Sequence, residues 1–189
     1  MKAEELVNKI SGIDKDSFST DDLRQLFPAD LNLKTAINRL VNRGVLVVIV
    51  RGRYRLKNTT INHEKIATQI YSPSYVSFES ALSKYGVINQ GFNKITLATT
   101  RHSKKVELSG LGCEFIHLKS NLFFGFNLIN GVYIAEVEKA LLDEMYLISL
   151  GKRKVNTSEW NIVGLDEDKI RGYLKFFPQT VSKNMEEML

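Results

Sequence analysis

The chain has 189 residues, 43% of them hydrophobic, and 26 Lys or Arg against 21 Asp or Glu give it a formal net charge of +5. One cysteine, Cys113, excludes an internal disulfide and a thiolate metal cluster built within one chain. The longest unbroken apolar run, the six residues 45–50, falls far short of the ~20 needed to cross a bilayer. With Glu4, Glu5, Asp14 and Asp16 where a secretory segment would be apolar, the chain is expected to be soluble and cytoplasmic, with no membrane partner.

The length allows one domain with a large core or two small ones, and the charge distribution favours two. Residues 1–30 set four bases against seven acids, residues 31–63 carry seven bases and no acid, and residues 64–189 carry fifteen bases against fourteen acids. Concentrating the excess in one short segment creates a local positive field able to attract phosphates.

In chain order, Leu6, Val7 and Ile10 recur at helical spacing and Gly12 offers a stop, which predicts a short first helix. Ser19 or Thr20 supplies an N-cap for a second helix with Asp21 and Asp22 in its first turn, closed before Pro28. A third helix, from about Asn32 to Gly44, divides into two sectors at 100° per residue. Leu33, Ala36, Ile37, Leu40 and Val41 form the inner one; Thr35, Asn38, Arg39 and Asn42 form the outer one, flanked by Lys34 and Arg43. That outer sector has no carboxylate, and its amides and guanidiniums are the groups that read base edges and phosphates in a major groove.

After Gly44 the pattern becomes that of a strand pair turning at Arg51-Gly52. A two-residue turn pairs Val50 with Arg53, Ile49 with Tyr54, Val48 with Arg55 and Val47 with Leu56. Alternation then points Val47, Ile49, Tyr54 and Leu56 inward, and sets Arg53 and Arg55 on the other face with Arg51 at the tip. A helix followed by a basic two-stranded wing is the outline of a winged helix-turn-helix over residues 1–60, whose first expected partner is double-stranded DNA. The same architecture also serves as a protein-interaction adaptor, which is the alternative reading.

Residues 57–63 form a polar connector, and residues 64–189 read as an α+β domain with a mixed or antiparallel sheet. Helical spacing resumes over 64–70, Ser72-Pro73-Ser74 breaks the chain, and residues 76–82 lead into a helix that Gly86 stops. Four strand-like runs follow, at 94–100, 113–118, 122–129 and 132–135, the last two joined by an Asn130-Gly131 turn. Residues 136–150 form a strong helix, a closing helical region runs through Ile170, Leu174 and Phe177 to Pro178, and a short tail carries Met185 and Leu189.

Catalytic constellations are sparse. His63, His102 and His117 are too irregularly spaced for a metal pair on one helical turn. Ser77 and Ser80 have no base nearby in sequence and no G-x-S-x-G elbow. Glu136, Glu138, Asp143 and Glu144 mostly fall off the apolar stripe and read as a solvated helix face, and no G-x-x-x-x-G-K-[ST] loop occurs. Two basic clusters, residues 101–105 and 152–154, read as exposed loops, the first able to extend a nucleic-acid footprint. No enzymatic activity, cofactor or metal is expected.

Three ordered motifs carry a family resemblance: G-R-Y-R-L at residues 52–56, Y-V-S-F-E-S-A-L at 75–82 and A-x-V-E-K-A-L-L-D at 135–143. Together they resemble the AbiEi antitoxins of bacterial type IV toxin-antitoxin systems, over nearly the whole chain. The resemblance implies a winged helix that represses its own operon at inverted repeats, and a C-terminal domain that counters a nucleotidyltransferase-type toxin without necessarily binding it. It carries DNA contacts onto Thr35, Asn38, Arg39, Arg51, Arg53 and Arg55, and onto no named residue of the C-terminal domain.

Overall fold

A computed structural model of the chain describes residues 2–11, 13, 15–29, 32–89, 94–186 and 188. Gly12, expected to end the first helix, and Leu189 of the tail lie outside the described residues. The architecture is mixed α+β, with one antiparallel and one mixed sheet. Two compact units contain it: Met1–Ile66 with Glu107–Gly110, and Ala67–Val106 with Leu111–Leu189. Among the described residues, no helix is long and apolar enough to cross a membrane.

The first unit runs α1 (Ala3–Ser11), β1 (Phe18–Ser19), α2 (Thr20–Leu26), α3 (Leu33–Asn42), β2 (Leu46–Val50), β3 (Arg53–Leu56) and the start of α4 (His63–Ile70). Leu6, Phe18, Leu23, Ile37, Leu40 and Leu46, each at most 2% exposed, form its core; burying such a side chain contributes about 1.5–3 kcal/mol. Ser19 caps α2 by accepting the Asp22 N–H at 3.0 Å, while its own N–H donates to the Asp22 carboxylate at 2.8 Å. This reciprocal box satisfies donors that the first turn would otherwise leave unpaired. Burial alone would raise the Asp22 carboxyl, but the Lys15 ammonium at 2.9 Å and the two Ser19 donors outweigh it and hold it at about 2.

The sheet order is β1-β3-β2, all antiparallel. β1, two residues long, was too short to show as a periodic run. The turn pairs Val50 with Arg53 as expected, but a bulge at Ile49 then shifts the register, so Tyr54 faces Val48, Arg55 faces Val47 and Leu56 faces Leu46. Ile49, Tyr54 and Leu56 face inward as expected, but the bulge puts Leu46 rather than Val47 in the core. Leu46 and Ile49 are the buried residues of β2, Val47 is half-buried, and Val48 turns out to 44% exposure. An extra residue in one strand breaks the period of two.

The second unit contains the rest of α4, β4 (Ser74–Val76), α5 (Phe78–Lys84), β5 (Lys94–Thr99), the first three residues of β6 (Lys104–Leu108), β7 (Leu111–His117), a 3-10 turn (Ser120–Leu122), β8 (Phe126–Ile129), β9 (Val132–Ala135), α6 (Val137–Ser149), α7 (Glu167–Leu174) and α8 (Gln179–Glu186). The strands order as β6-β7-β5-β4-β9-β8. β4 runs antiparallel to β5 and parallel to β9, and β5 runs parallel to β7. α5 packs on β5 and α6, and α6 in turn packs on α7 and α8.

Four expectations are corrected here. Residues 74–76 are a central strand, because the three side chains are buried on both faces and leave no alternation to read. Residues 104–108 are an edge strand rather than a loop; Lys104 and Lys105 belong to the charged type that protects such edges. The run 122–129 is interrupted at Gly125, whose φ of 66° takes the backbone out of the extended region. The tail forms α8, with Val181 and Met185 fully buried.

Replacing Ser19 by Ala should destabilise the fold by about 1 kcal/mol in urea denaturation at neutral pH. Asp22 has a folded pKa of about 2 against 3.8 for the free side chain, so its contribution is complete above the unfolded value and disappears as pH falls through the folded one. Asp22→Asn should therefore narrow its deficit to wild type as acid melts are taken from pH ~4 towards ~2.

Candidate nucleic-acid interface

The burial pattern of α3 divides as the sequence does. Leu33, Ala36, Ile37 and Leu40 are buried, whereas Lys34, Thr35, Asn38, Arg39 and Asn42 are exposed, as is Arg43 at the C-cap. The first turn of α3 contains no acid and has Lys34 instead, and the N-cap Asn32 makes no side-chain capping bond. The positive end of the helix dipole therefore meets no carboxylate from its own first turn, an arrangement suited to a phosphate.

The three arginines of the β2–β3 hairpin divide into different roles. Arg51 is exposed at the turn. Arg53 Nη1 donates to Ser17 Oγ at 3.0 Å, which anchors it to the strand β1 side of the sheet. Arg55 Nη1 donates to the carbonyls of Leu56, Lys57 and Thr59 at 3.1, 2.8 and 2.9 Å, stitching the turn after β3. Arg53 and Arg55 share a face but are half-buried, so part of their hydrogen-bonding capacity is already used inside the unit.

Thr20 was missed as a supporting residue. Its N–H and hydroxyl both donate to Gly52 O, at 3.0 and 3.3 Å, tying the hairpin tip to the start of α2. Gly52 sits at φ 81°, a conformation glycine adopts without steric cost. No sequence signal marks this contact, since the two residues are 32 positions apart.

The second unit holds a buried polar cluster that the sequence reading set aside. Tyr75, Ser77, Lys139 and Asp143 are each 0% exposed. Tyr75 OH and Ser77 Oγ donate to Asp143 Oδ2 at 2.9 and 2.8 Å; Lys139 Nζ donates to Tyr75 OH at 3.0 Å and pairs with Asp143 Oδ1. Lys139 also lies over the rings of Phe124 and Phe177, 5.0 and 5.3 Å from their centroids. Burial lowers the Lys139 pKa and raises that of Asp143, and their mutual attraction opposes both shifts.

Ser77 thus has a partner carboxylate, Asp143, 66 positions away, where the sequence shows none near it. The solvated-face reading of α6 is also overturned: Glu138, Asp143 and Glu144 are buried, and only Glu136 of the four acids is half-exposed. Burial and then the Glu79 charge push the Glu144 carboxyl up to about 8, and among the described residues neither of its oxygens has a hydrogen-bond partner. A nucleophile needs access as well as activation. With all four groups of the cluster sealed from solvent, its chemistry is that of a structural tie. Cys113 is equally withdrawn, its thiol pushed up to about 11 by burial. Among the described residues no group of three or more His, Cys, Asp or Glu could hold a metal ion.

No family model matches the chain, and no curated protein matches it. Among solved structures, the chain is similar to the crystal structure of the RV2827C protein from Mycobacterium tuberculosis, with a TM-score of 0.63 at 12% identity, over 95% of this chain and 73% of that one. At such identity the likeness concerns the fold alone.

Removing Asp143 while leaving Lys139 should cost about 3–5 kcal/mol, because it strands a buried charge. Asp143→Ala is therefore expected to lower the urea midpoint sharply, and Lys139→Met combined with Asp143→Leu to recover most of the loss. A double variant as unstable as the single one would mean that packing, not charge, dominates this site.

Proposed function

We propose that the first unit is a winged helix-turn-helix that binds double-stranded DNA, with α3 in the major groove and the β2–β3 hairpin as the wing. The observation that carries this reading is the solvent-facing, carboxylate-free side of α3, where Lys34, Thr35, Asn38, Arg39, Asn42 and Arg43 stand exposed. The element order of three helices followed by a basic hairpin supports it. Arg51 is the wing's outward cation. Arg53 and Arg55 fix the hairpin's shape.

The chain's function on this reading is that of a transcriptional repressor and antitoxin of the AbiEi type, acting on its own operator and against a nucleotidyltransferase-type toxin. Support comes from the way two motifs of the resemblance interlock: Tyr75 and Ser77 of the first bond Asp143 of the second, so each motif accounts for the other's residues. The internal commitments of Arg53 and Arg55 favour a second reading, a protein-docking module, because they reduce the cations offered to phosphate.

Fluorescence anisotropy with the operon's own promoter tests the DNA reading. Arg39→Ala with Arg51→Ala should weaken binding and make the slope of log K against log salt shallower by about 1.8, or about 0.9 per lost phosphate contact. An unchanged slope removes these residues from the interface, and a protein partner that survives nuclease treatment, with no duplex shift at low salt, selects the docking module. Co-expression with the product of an adjoining nucleotidyltransferase gene should restore growth, and continued arrest would reject the antitoxin assignment.

A further inference from the structure

The two basic clusters at 101–105 and 152–154, about fifty residues apart in sequence, close on one cavity of about 270 Å³ in the second unit. Lys104, Lys105, Lys152 and Arg153 line it together with the Ser103 hydroxyl, and Phe115 and Leu147 contribute apolar wall. The lining includes one carboxylate, Glu114, whose charge is already shared by Lys94 at 2.8 Å, Lys105 at 3.5 Å and Arg153 at 3.6 Å. Four cations against Glu114 and, behind Arg153, Glu79 leave the cavity positive.

One buried donor in it lacks an acceptor, and the exposed Ser103 adds a hydroxyl at the rim. Arg153 Nη1 is held by Glu79 at 2.6 Å, but Nη2 is buried with no hydrogen-bond partner among the described residues, since Glu114 at 3.6 Å is too far. Ser103 Oγ accepts the His117 N–H at 3.0 Å, which leaves its own O–H to donate. A buried donor without an acceptor is costly, and natural structures seldom leave one unless a ligand or water completes it. Lys104 is further positioned over the Tyr71 ring, 5.2 Å from its centroid.

We propose that this cavity binds the phosphoryl group of a small phosphorylated ligand, a pyrophosphate or compact phosphate ester. Phosphate oxygens accept from Arg153 Nη2 and Ser103 Oγ, while Lys104, Lys105 and Lys152 neutralise the charge, the division of labour expected between a directional guanidinium and mobile ammonium groups. The volume lies near the lower end of ligand pockets, ~300–1,000 Å³, which suits a compact anion. A duplex is too wide to enter such a concavity, so this site is distinct from the proposed DNA surface of α3.

Isothermal titration of the full chain with pyrophosphate at low salt provides the test. Saturable one-to-one binding with a Kd below about 1 mM is expected, weakened about tenfold or more in Lys104→Ala/Lys152→Ala. Both replaced side chains are exposed, and an unchanged urea midpoint will show that the fold is intact. Ser103→Ala, which removes one donor and no charge, should weaken binding by a smaller factor. The proposal fails if no saturable heat appears, if the double lysine variant binds as tightly as wild type, or if a duplex oligonucleotide displaces pyrophosphate from the wild-type chain.

Discussion

The second unit depends on one buried ion pair. Lys139 and Asp143, one helical turn apart on α6, are both removed from water, and each such desolvation costs several kcal/mol before any attraction offsets it. The offset here comes from completeness: Asp143 accepts the Lys139 ammonium and two hydroxyls, and Lys139 gains Tyr75 and two aromatic faces. Hydrogen bonds of fixed length from one strand and its junction set the rotation of α6 about its own axis. Apolar packing alone would tolerate many rotations.

Several local features follow from that tie. Tyr75 and Ser77 flank Val76, the residue of β4 that pairs with Ile134 of β9, so bonding Asp143 holds the middle of the sheet against α6. The chain must then turn sharply into α5, and Phe78 takes a φ of 56° to do so, a left-handed conformation that surrounding structure has to enforce on a side chain with a Cβ. Gly125 passes so close to Lys139 that an added Cβ would lie 3.0 Å from its Cγ. Its lack of a side chain is what permits the closed aromatic cover.

The first unit uses polar bonds differently, at its surface and over short reach. The Ser19–Asp22 box starts α2, Thr20 holds the Gly52 carbonyl, and Ser17 holds Arg53. Together these fasten the hairpin to the segment between α1 and α2. A hairpin fixed in this way holds Arg51 exposed at its tip.

The sequence by itself determined the features that depend on local periodicity and local bonds. These are the approximate limits of α3 and the separation of its faces, a cap at Ser19 or Thr20, the turns at Arg51-Gly52 and Asn130-Gly131, and the uneven distribution of charge. Such features are legible because helix spacing, capping and turn preference act over four or five residues. Only the tertiary structure decided the rest. It shifted the β2–β3 register through a single bulged residue, assigned the short strand 74–76 whose buried faces show no alternation, and brought Ser77 to Asp143 and residues 103–105 to 152–153. The last three join positions that are far apart in the chain. An acidic residue reads as solvated unless the distant group that bonds it is known, and that is why the acids of α6 read as a solvated face although Glu138, Asp143 and Glu144 are buried.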